Sequence, residues 1–308
     1  MLSPPASNER NTMLMKNAIL GVNHQFLYPE AIVDAMAHTE SLKKAASLEK
    51  VDALDCWVWR GQRSREEIAI LRGCGKVINY NIGDRFGEDP TFPCSSDRMQ
   101  RIYAYDTLMR EVEYALAVGS KKIVFASGPD LPEDRAHAKE RLGELIVTVA
   151  KQLPRDVILA LEPTDRDIDK HFLLGPLDET VDFIKRCRRY VPNLGLLLDQ
   201  CHVPLMHETL ESALAKVEDT LVHIHLGNCV IRDENDPFYG DKHIPWGYTG
   251  AEYGDDEGVA FLEMLKKIGY FDKKGATVSF EMRPYEGMSA EESLDRFVSV
   301  WNRAKNIE

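Results

Sequence analysis

Residues 222–229 read Val222-His223-Ile224-His225-Leu226-Gly227-Asn228-Cys229, an apolar run that carries two histidines and then breaks at a glycine. Alternate side chains of a β-strand face the same side of the sheet, so His223 and His225 are predicted to point together. Three further apolar runs also end in an ionisable residue: 157–161 before Glu162, 194–198 before Asp199 and 277–280 before Glu281. The repeated pattern predicts strands that bring polar side chains to one place.

Short apolar runs alternate with helical segments along the whole chain. Eight predicted strands alternate with eight predicted helices, which implies parallel strands joined by helical crossovers. Eight such units in 308 residues fit an α/β fold with a single (β/α)₈ TIM barrel, and a doubly wound open sheet is the main alternative. Neither a repeat nor a linker-like tract interrupts the pattern. One barrel domain is therefore predicted over residues 16–308, after a disordered leader at residues 1–15.

Capping and turn residues predict several boundaries. Proline favours the first turn of a helix, so a helix is predicted over residues 29–47, with the preceding His24 in a loop. Ser95 or Ser96 is the predicted cap of a long helix. The long loops after the third and seventh strands are predicted lids over the strand ends.

Composition excludes several classes of protein. The formal charge is −12, and an acidic surface repels phosphate backbones, which argues against a nucleic-acid partner. No apolar run approaches the roughly 20 residues of a membrane helix, and the N-terminus lacks the apolar core of a signal peptide. Six scattered cysteines without a Cys-x-x-Cys pair indicate free thiols. These features predict a cytoplasmic protein without a membrane partner.

The polar strand ends predict a metal site. The carboxyl ends of parallel barrel strands lie at one mouth, where the active sites of this architecture are found. Three carboxylates and one imidazole form a hard ligand set that suits Mn²⁺ or Mg²⁺, with Co²⁺ or Zn²⁺ as alternatives. Taken singly, each residue could be a loop cap, a core histidine or a surface ion pair. The residues predicted to converge on one divalent ion are Glu162, Asp199, His225 and Glu281.

An ordered set of short motifs resembles the xylose isomerase-like TIM barrel superfamily, and in particular its sugar phosphate isomerases and epimerases, which include ketose 3-epimerases. The motifs are Leu161-Glu162-Pro163, Asp199-Gln200-Cys201-His202, His223-Ile224-His225-Leu226-Gly227 and Phe280-Glu281. The resemblance implies that the four predicted ligands bind one ion, usually Mn²⁺. It implies that Glu162 and Glu281 are acid and base on opposite faces of a sugar, and that His202 contacts the substrate. It also implies a homo-oligomer or a small partner subunit.

Two positions depart from the epimerase pattern. The epimerases have an arginine six residues after the metal-binding histidine, whereas here Ile231 fills that place and Arg232 follows. Ile168 stands where an epimerase has a substrate-binding glutamate. The long loop over residues 227–255 contains Gly-Asn-Cys-Val…Tyr-Gly-Asp-Lys-His-Ile-Pro at residues 227–245, which resembles a branch that includes the large subunits of C-glycoside deglycosidases. Those enzymes act on 3-oxo-glucosyl compounds by metal-assisted β-elimination.

Both chemistries begin with abstraction of a proton next to a carbonyl, through a metal-stabilised enediolate. Reprotonation makes the protein a sugar isomerase or epimerase, which is the leading hypothesis. Loss of a β-substituent makes it a carbon–oxygen or carbon–carbon lyase. Two further classes are a zinc-dependent abasic-site endonuclease, which needs more histidine ligands and a basic face, and a non-catalytic barrel subunit.

Seven residues near the predicted strand ends are candidates for contact with a small carbohydrate substrate. Each has a structural alternative: Trp57 could fill the barrel rim, and His243 could belong to a solvated charge run with Asp241 and Lys242. Solvation or ion pairing would explain the others. The seven candidates are His24, Trp57, Asn79, Lys170, Arg232, His243 and Arg283.

Overall fold

Eight parallel strands form a closed barrel in which each strand pairs with the next along the chain and the last pairs with the first. The computed structural model describes Met15 and residues 18–83 and 92–307. The predicted (β/α)₈ barrel is confirmed, and the open-sheet alternative is wrong. The strands are β1 Ile19–Asn23, β2 Ala53–Cys56, β3 Val77–Asn81, β4 Lys122–Ala126, β5 Ile158–Glu162, β6 Leu194–Asp199, β7 Leu221–Leu226 and β8 Thr277–Phe280.

Helices connect the strands. Within the described residues they are α1 His24–Leu27, α2 Ala35–Ser47, α3 Ser64–Gly73, α4 Arg98–Ala117, α5 Arg135–Ala150, α6 Leu177–Arg188, α7 His202–Leu205, α8 Leu210–Val217, α9 Asp255–Lys267 and α10 Ala290–Asn306. Three short 3₁₀ turns lie at Pro29–Ile32, Pro132–Asp134 and Tyr270–Asp272. None of the helices in the described ranges has both the length and the apolarity to cross a membrane.

Helix α10 shows how the sequence specifies the outer layer. Its start is a capping box: the Ser289 hydroxyl accepts from the backbone N–H of Glu292 at 3.2 Å, and the Glu292 carboxylate accepts from the backbone N–H of Ser289 at 2.8 Å. Apolar residues spaced by three or four positions form one buried face: Leu294, Phe297, Val300, Trp301 and Ala304. The helix is therefore held at its start and along its inner side.

The continuous helix predicted over residues 29–47 is wrong. Residues Pro29–Ile32 form a separate 3₁₀ turn, and the α-helix begins only after Asp34. The Asp34 carboxylate accepts from the backbone N–H groups of Met36 and Ala37 at 2.9 and 2.7 Å. This cap satisfies donors that an uninterrupted helix would have bonded internally, so it restarts the helix.

The cap predicted for α4 is also wrong. Neither Ser95 nor Ser96 caps the helix; Asp97 does, because its carboxylate accepts from the backbone N–H of Met99 at 2.7 Å. The predicted leader lies outside the described residues except for Met15, whose side chain is buried in the main apolar core. Most of the predicted lid after β3 lies outside them as well.

The interior of the barrel is divided by chemistry. Val124, Ala160 and Leu197, from β4 to β6, form a small buried apolar cluster against which Val222 packs. Strands β2, β3, β7 and β8 instead contribute buried polar side chains, whereas the interiors of such barrels are mostly filled by branched apolar residues. Gly195 leaves space for Val222, because a Cβ atom there would lie 2.5 Å from its Cγ1.

We expect Gly195→Ala to destabilise the barrel, because the added methyl group meets a packed side chain that is held between strands. Overpacking of this kind costs about 1–3 kcal/mol, and the urea midpoint of unfolding should fall accordingly. Gly143→Ala in α5 is the matched control, since its Cβ would lie 3.6 Å from the nearest side-chain atoms, an ordinary contact. Its higher helix propensity should raise stability by roughly 0.5–1 kcal/mol. Equal midpoints for the two variants would contradict this packing.

Candidate metal centre

Four buried side chains from adjacent strands meet at the carboxyl end of the barrel. Glu162 and Asp199 end β5 and β6, His225 lies one residue before the end of β7, and Glu281 directly follows β8. Each offers one ligand atom, and these atoms all lie within 4.8 Å of one another. The structure thus brings together the four residues that the sequence predicted as ligands, which we call the strand-end group.

The strand-end group fits a divalent metal ion. Asp199 Oδ2 is buried and has no hydrogen-bond partner. His225 Nδ1 lies 2.5 Å from Glu281 Oε2 and 3.8 Å from Glu162 Oε1. An unsatisfied buried polar group costs about 1–3 kcal/mol, and clustered carboxylates repel one another. A cation that prefers oxygen and nitrogen ligands would remove both costs.

Burial makes the two glutamates titrate near neutral pH. Burial and the neighbouring Glu281 carboxylate raise the pKa of Glu162 to about 7. Burial also raises the pKa of Glu281 to about 7, although His225 and His243 act in the opposite direction. A carboxyl group with such a pKa can both accept and donate a proton at neutral pH.

Two residues that the sequence did not predict hold this group in place. The Asn23 side-chain amide donates to Glu281 Oε1 at 2.5 Å, and His225 Nε2 lies 2.9 Å from Asp55 Oδ1. Both residues are fully buried, at or next to the last position of β1 and β2. Their position at strand ends was the signal that could have revealed them.

A second set of possible ligands adjoins the first. We call it the loop group: Cys201, His202, Asp241 and His243. Asp241 Oδ1 lies 2.8 Å from His243 Nε2 and 3.3 Å from His202 Nε2. Asp241 is buried, so the alternative of a solvated charge run does not apply to it. His202 Nε2 is in turn 3.7 Å from Asp199 Oδ2, which places the loop group beside the strand-end group.

Neighbouring carboxylates raise the pKa of both histidines in the loop group. Burial lowers the pKa of His243, but Asp241 and Glu281 outweigh it and raise the pKa to about 9. Burial likewise opposes the charged form of His202, yet Asp241 and Asp199 raise its pKa well above the usual value. The imidazoles are therefore cationic, and they face the carboxylates of the first group.

A cavity of about 110 Å³ opens above both groups. Phe26 and Phe172 line it with aromatic surface. Gly83 also lines it, and a Cβ added there would lie 3.0 Å from Asn81 Oδ1 and 3.4 Å from Glu162 Oε2. The predicted catalytic and substrate-contact residues among its lining are Glu162, Lys170, His202, His243 and Glu281.

Two predicted contact residues, His24 and Asn79, are not among the described residues that line this cavity. His24 begins α1 rather than lying in a loop, and its Nε2 is 2.9 Å from the Ser41 hydroxyl of α2. Asn79 points into the barrel interior, where its amide donates to Asp55 Oδ2 at 3.1 Å. Neither lines the cavity as the described residues form it.

Three more candidates have other partners. Trp57 is buried with its ring 4.3 Å from the His38 ring, away from the cavity lining. Arg232 pairs with Glu252 at 2.9 Å, and its side chain is 70% exposed. Arg283 donates to the Lys242 carbonyl at 2.9 Å and so helps to hold the long loop after β7. Within the described ranges these three side chains do not line the cavity, and their contact with a substrate stays a prediction.

Comparison with known proteins gives a consistent picture. A family model described as xylose isomerase-like TIM barrel matches residues 77–304. A D-psicose 3-epimerase of Enterocloster bolteae is 28% identical over 177 residues, which cover 56% of this chain and 53% of that protein. A probable endonuclease 4 of Ureaplasma urealyticum is 22% identical over 184 residues, or 57% and 59% of the two chains. The chain thus spans a little over half the length of these curated relatives.

Solved structures share the architecture over almost the whole chain. The 3-keto-D-glucoside 4-epimerase YcjR from E. coli has a TM-score of 0.65 at 17% identity, covering 92% of this chain and 99% of that chain. A D-psicose 3-epimerase with D-tagatose from Clostridium cellulolyticum H10 also has a TM-score of 0.65, at 19% identity, covering 93% and 98%. At these identities the likeness shows the shared fold.

We expect stabilisation by Mn²⁺ to grow with pH. In the unfolded chain, glutamates titrate near 4.3, so between about pH 4.3 and 7 the metal-free folded protein holds protons that the unfolded chain has lost, and its stability falls as the pH rises. Mn²⁺ replaces those protons. The rise in melting temperature on adding Mn²⁺ should therefore be larger at about pH 8 than at about pH 5.5.

Two variants control this measurement. Asp199→Asn removes a ligand and should abolish most of the Mn²⁺-dependent shift at both pH values. Glu49→Gln changes an exposed carboxylate outside the site and should leave the shift unchanged. A shift that is independent of pH, or that survives in Asp199→Asn, would contradict binding at the strand-end group.

Proposed function

The chain belongs to the xylose isomerase-like TIM barrel family, and we propose that it is a divalent-metal-dependent sugar isomerase or epimerase. One observation carries the proposal: Glu162 and Glu281 both line the cavity, while the other two members of the strand-end group, Asp199 and His225, are fully buried. A substrate in the cavity could therefore reach two carboxyl groups, next to side chains that fit a divalent ion. That arrangement suits proton transfer at a carbon next to a carbonyl.

The two glutamates are the proposed base and acid. A bound divalent ion would polarise the substrate carbonyl and stabilise negative charge on its oxygen. One glutamate removes the proton from the neighbouring carbon, and the other returns a proton to the opposite face. Without a bound ion both carboxyl groups have a pKa of about 7, and a bound cation would favour their ionised, proton-accepting form.

His202 is the proposed contact for a substrate hydroxyl. Its Nδ1 lies 3.1 Å from the Pro163 carbonyl, which orients the ring, and its Nε2 lies 3.3 Å from Asp241 Oδ1 in the cavity lining. Lys170 pairs with Asp241 at 3.0 Å on the cavity wall and places a cation beside the substrate space. We propose His243 and Lys170 as further polar contacts.

The substrate we propose is a small carbohydrate, and the ion Mn²⁺, with Mg²⁺, Co²⁺ or Zn²⁺ as alternatives. The hard ligand set supports the choice of ion. The names of the D-psicose and 3-keto-D-glucoside epimerases support the choice of substrate. A homo-oligomer, a small partner subunit and a cytoplasmic location also remain proposals.

A second candidate function is metal-dependent cleavage of abasic DNA. The loop group favours it, because Cys201, His202, Asp241 and His243 could hold a further ion beside the first. The endonuclease relative points the same way. The formal charge of −12 opposes it, since nucleic-acid binding requires a basic face. Two or more bound zinc ions per chain, with cleavage of an abasic duplex, would favour this candidate over the first.

We expect the Mn²⁺-loaded protein to incorporate solvent deuterium into a rearranged sugar when it is incubated in D₂O with ketoses or 3-oxo-glycosides. The label should appear at the carbon next to the carbonyl, because the proton removed there exchanges with solvent. Mass spectrometry and NMR locate it. Release of an aglycone from a 3-oxo-glycoside, without a rearranged sugar, would instead make the protein a lyase.

Variants at the two glutamates test their roles. Glu162→Gln and Glu281→Gln should each lower kcat by about 100- to 10,000-fold, the usual contribution of a positioned acid or base. Glu49→Gln should retain the activity of the parent protein. Metal content must be measured for each variant, since loss of the ion alone would also lower kcat. A glutamine variant with bound metal and full activity would remove that glutamate from the mechanism.

A further inference from the structure

We propose that Asp55 is a positioning residue that holds His225 so that its Nδ1 atom faces the metal. The inference rests on the proposed metal-dependent function and assigns a role to a residue inside the barrel. Asp55 lies on β2, across the barrel mouth from the strands that carry Glu162 and Asp199, and it is fully buried. It lies beneath the cavity rather than on its wall.

Four donors converge on the two oxygens of Asp55. Oδ1 lies 2.6 Å from His223 Nε2 and 2.9 Å from His225 Nε2. Oδ2 accepts from the Asn79 amide at 3.1 Å and from the Ser279 hydroxyl. An ionised carboxylate only accepts hydrogen bonds, so both histidines must carry a proton on Nε2.

This hydrogen bond determines what His225 can offer on its other side. With the proton on Nε2, a neutral ring has its lone pair on Nδ1, and Nδ1 is the atom that lies among the carboxylates, 2.5 Å from Glu281 Oε2 and 3.8 Å from Glu162 Oε1. A metal ion binds the lone pair of a neutral imidazole. Asp55 therefore selects both the orientation and the tautomer that a metal ligand at this position needs.

His223 differs from His225 in the partner of its Nδ1 atom. Its Nδ1 already has a partner, the Thr277 hydroxyl at 2.6 Å. That hydroxyl accepts from Lys122 Nζ at 2.6 Å, and the Thr277 carbonyl lies 3.1 Å from the same His223 Nδ1. Hydrogen bonds thus connect Lys122 through Thr277 and His223 to Asp55. His223 thus holds Asp55 in place and has no free nitrogen for a metal.

A glycine on β1, the strand between β2 and β8, leaves space for this network. Gly21 of β1 pairs with Ser279, and a Cβ atom at position 21 would collide with the Ser279 hydroxyl. A buried carboxylate with several polar partners adds little stability over apolar packing. Its value lies in fixing a neighbouring group, which here is the His225 ring.

Asp55→Asn tests the proposal, because it preserves shape while turning one acceptor into a donor. The Mn²⁺ dissociation constant, measured by calorimetry and by electron paramagnetic resonance of free Mn²⁺, should rise about 10- to 100-fold, the usual effect of losing such a partner. Ser279→Ala is the matched control. It removes a donor to the same carboxylate without touching His225, so Mn²⁺ affinity should stay within about threefold of the parent value.

A second measurement needs no variant and remains decisive if Asp55→Asn does not fold. In Zn²⁺-loaded parent protein labelled with ¹⁵N-histidine, the NMR correlations of His225 should show a proton on Nε2 and a metal-bound Nδ1. A proton on Nδ1, or metal binding through Nε2, would overturn the proposal. In folded Asp55→Asn, this pattern should be lost or mixed.

The outcomes separate this inference from the proposed function. If the parent protein binds no divalent ion, both fail. If it binds the ion and Asp55→Asn binds it equally well with the same His225 tautomer, only the role of Asp55 fails. If Ser279→Ala weakens binding as much as Asp55→Asn does, the effect belongs to the whole network, and the specific role of Asp55 is wrong.

Discussion

The repulsion among three buried carboxylates is the constraint on which the rest of the site depends. Glu162, Asp199 and Glu281 bring acidic oxygens within a few ångströms of each other in a space that water scarcely reaches. Such a cluster is stable only with protons or a cation. The residues around the cluster are closely packed. Only glycine fits at position 227, because a Cβ there would lie 2.8 Å from Asp199 Oδ1 and 3.3 Å from His243 Nδ1.

Hydrogen-bonded polar side chains inside the barrel hold His225 of the strand-end group in place. Val124, Ala160 and Leu197 of strands β4 to β6 form an apolar cluster. A hydrogen-bonded network runs from Lys122 of β4 through Thr277 and His223 to Asp55, which also holds His225. Buried polar groups are tolerated only when their donors and acceptors are matched, and here a lysine and a carboxylate occupy the two ends. The network thus links the position of a metal ligand to the packing of the whole barrel.

The sequence predicted the fold and the strand-end group for a simple physical reason. Strand alternation and strand ends are local patterns, and in a parallel barrel every strand ends at one mouth. Asp55 and Asn23 were not predicted from the sequence, because their roles depend on neighbours more than 150 positions away in the chain. Asp241 was open to a solvated alternative because its burial comes from a long loop folding back onto the site.

The substrate contacts were the least predictable part, because they depend on loop conformation. Arg232 and His243 lie in the same long loop, yet one pairs at the surface and the other lines the cavity. The His243 backbone adopts a positive φ of 50°, which no local pattern in the sequence indicates. A crystal grown with Mn²⁺, with diffraction recorded on both sides of the manganese absorption edge, would locate the ion. We expect one anomalous peak within the strand-end group, next to His225 Nδ1; a peak elsewhere, or none, would contradict metal binding by these four residues.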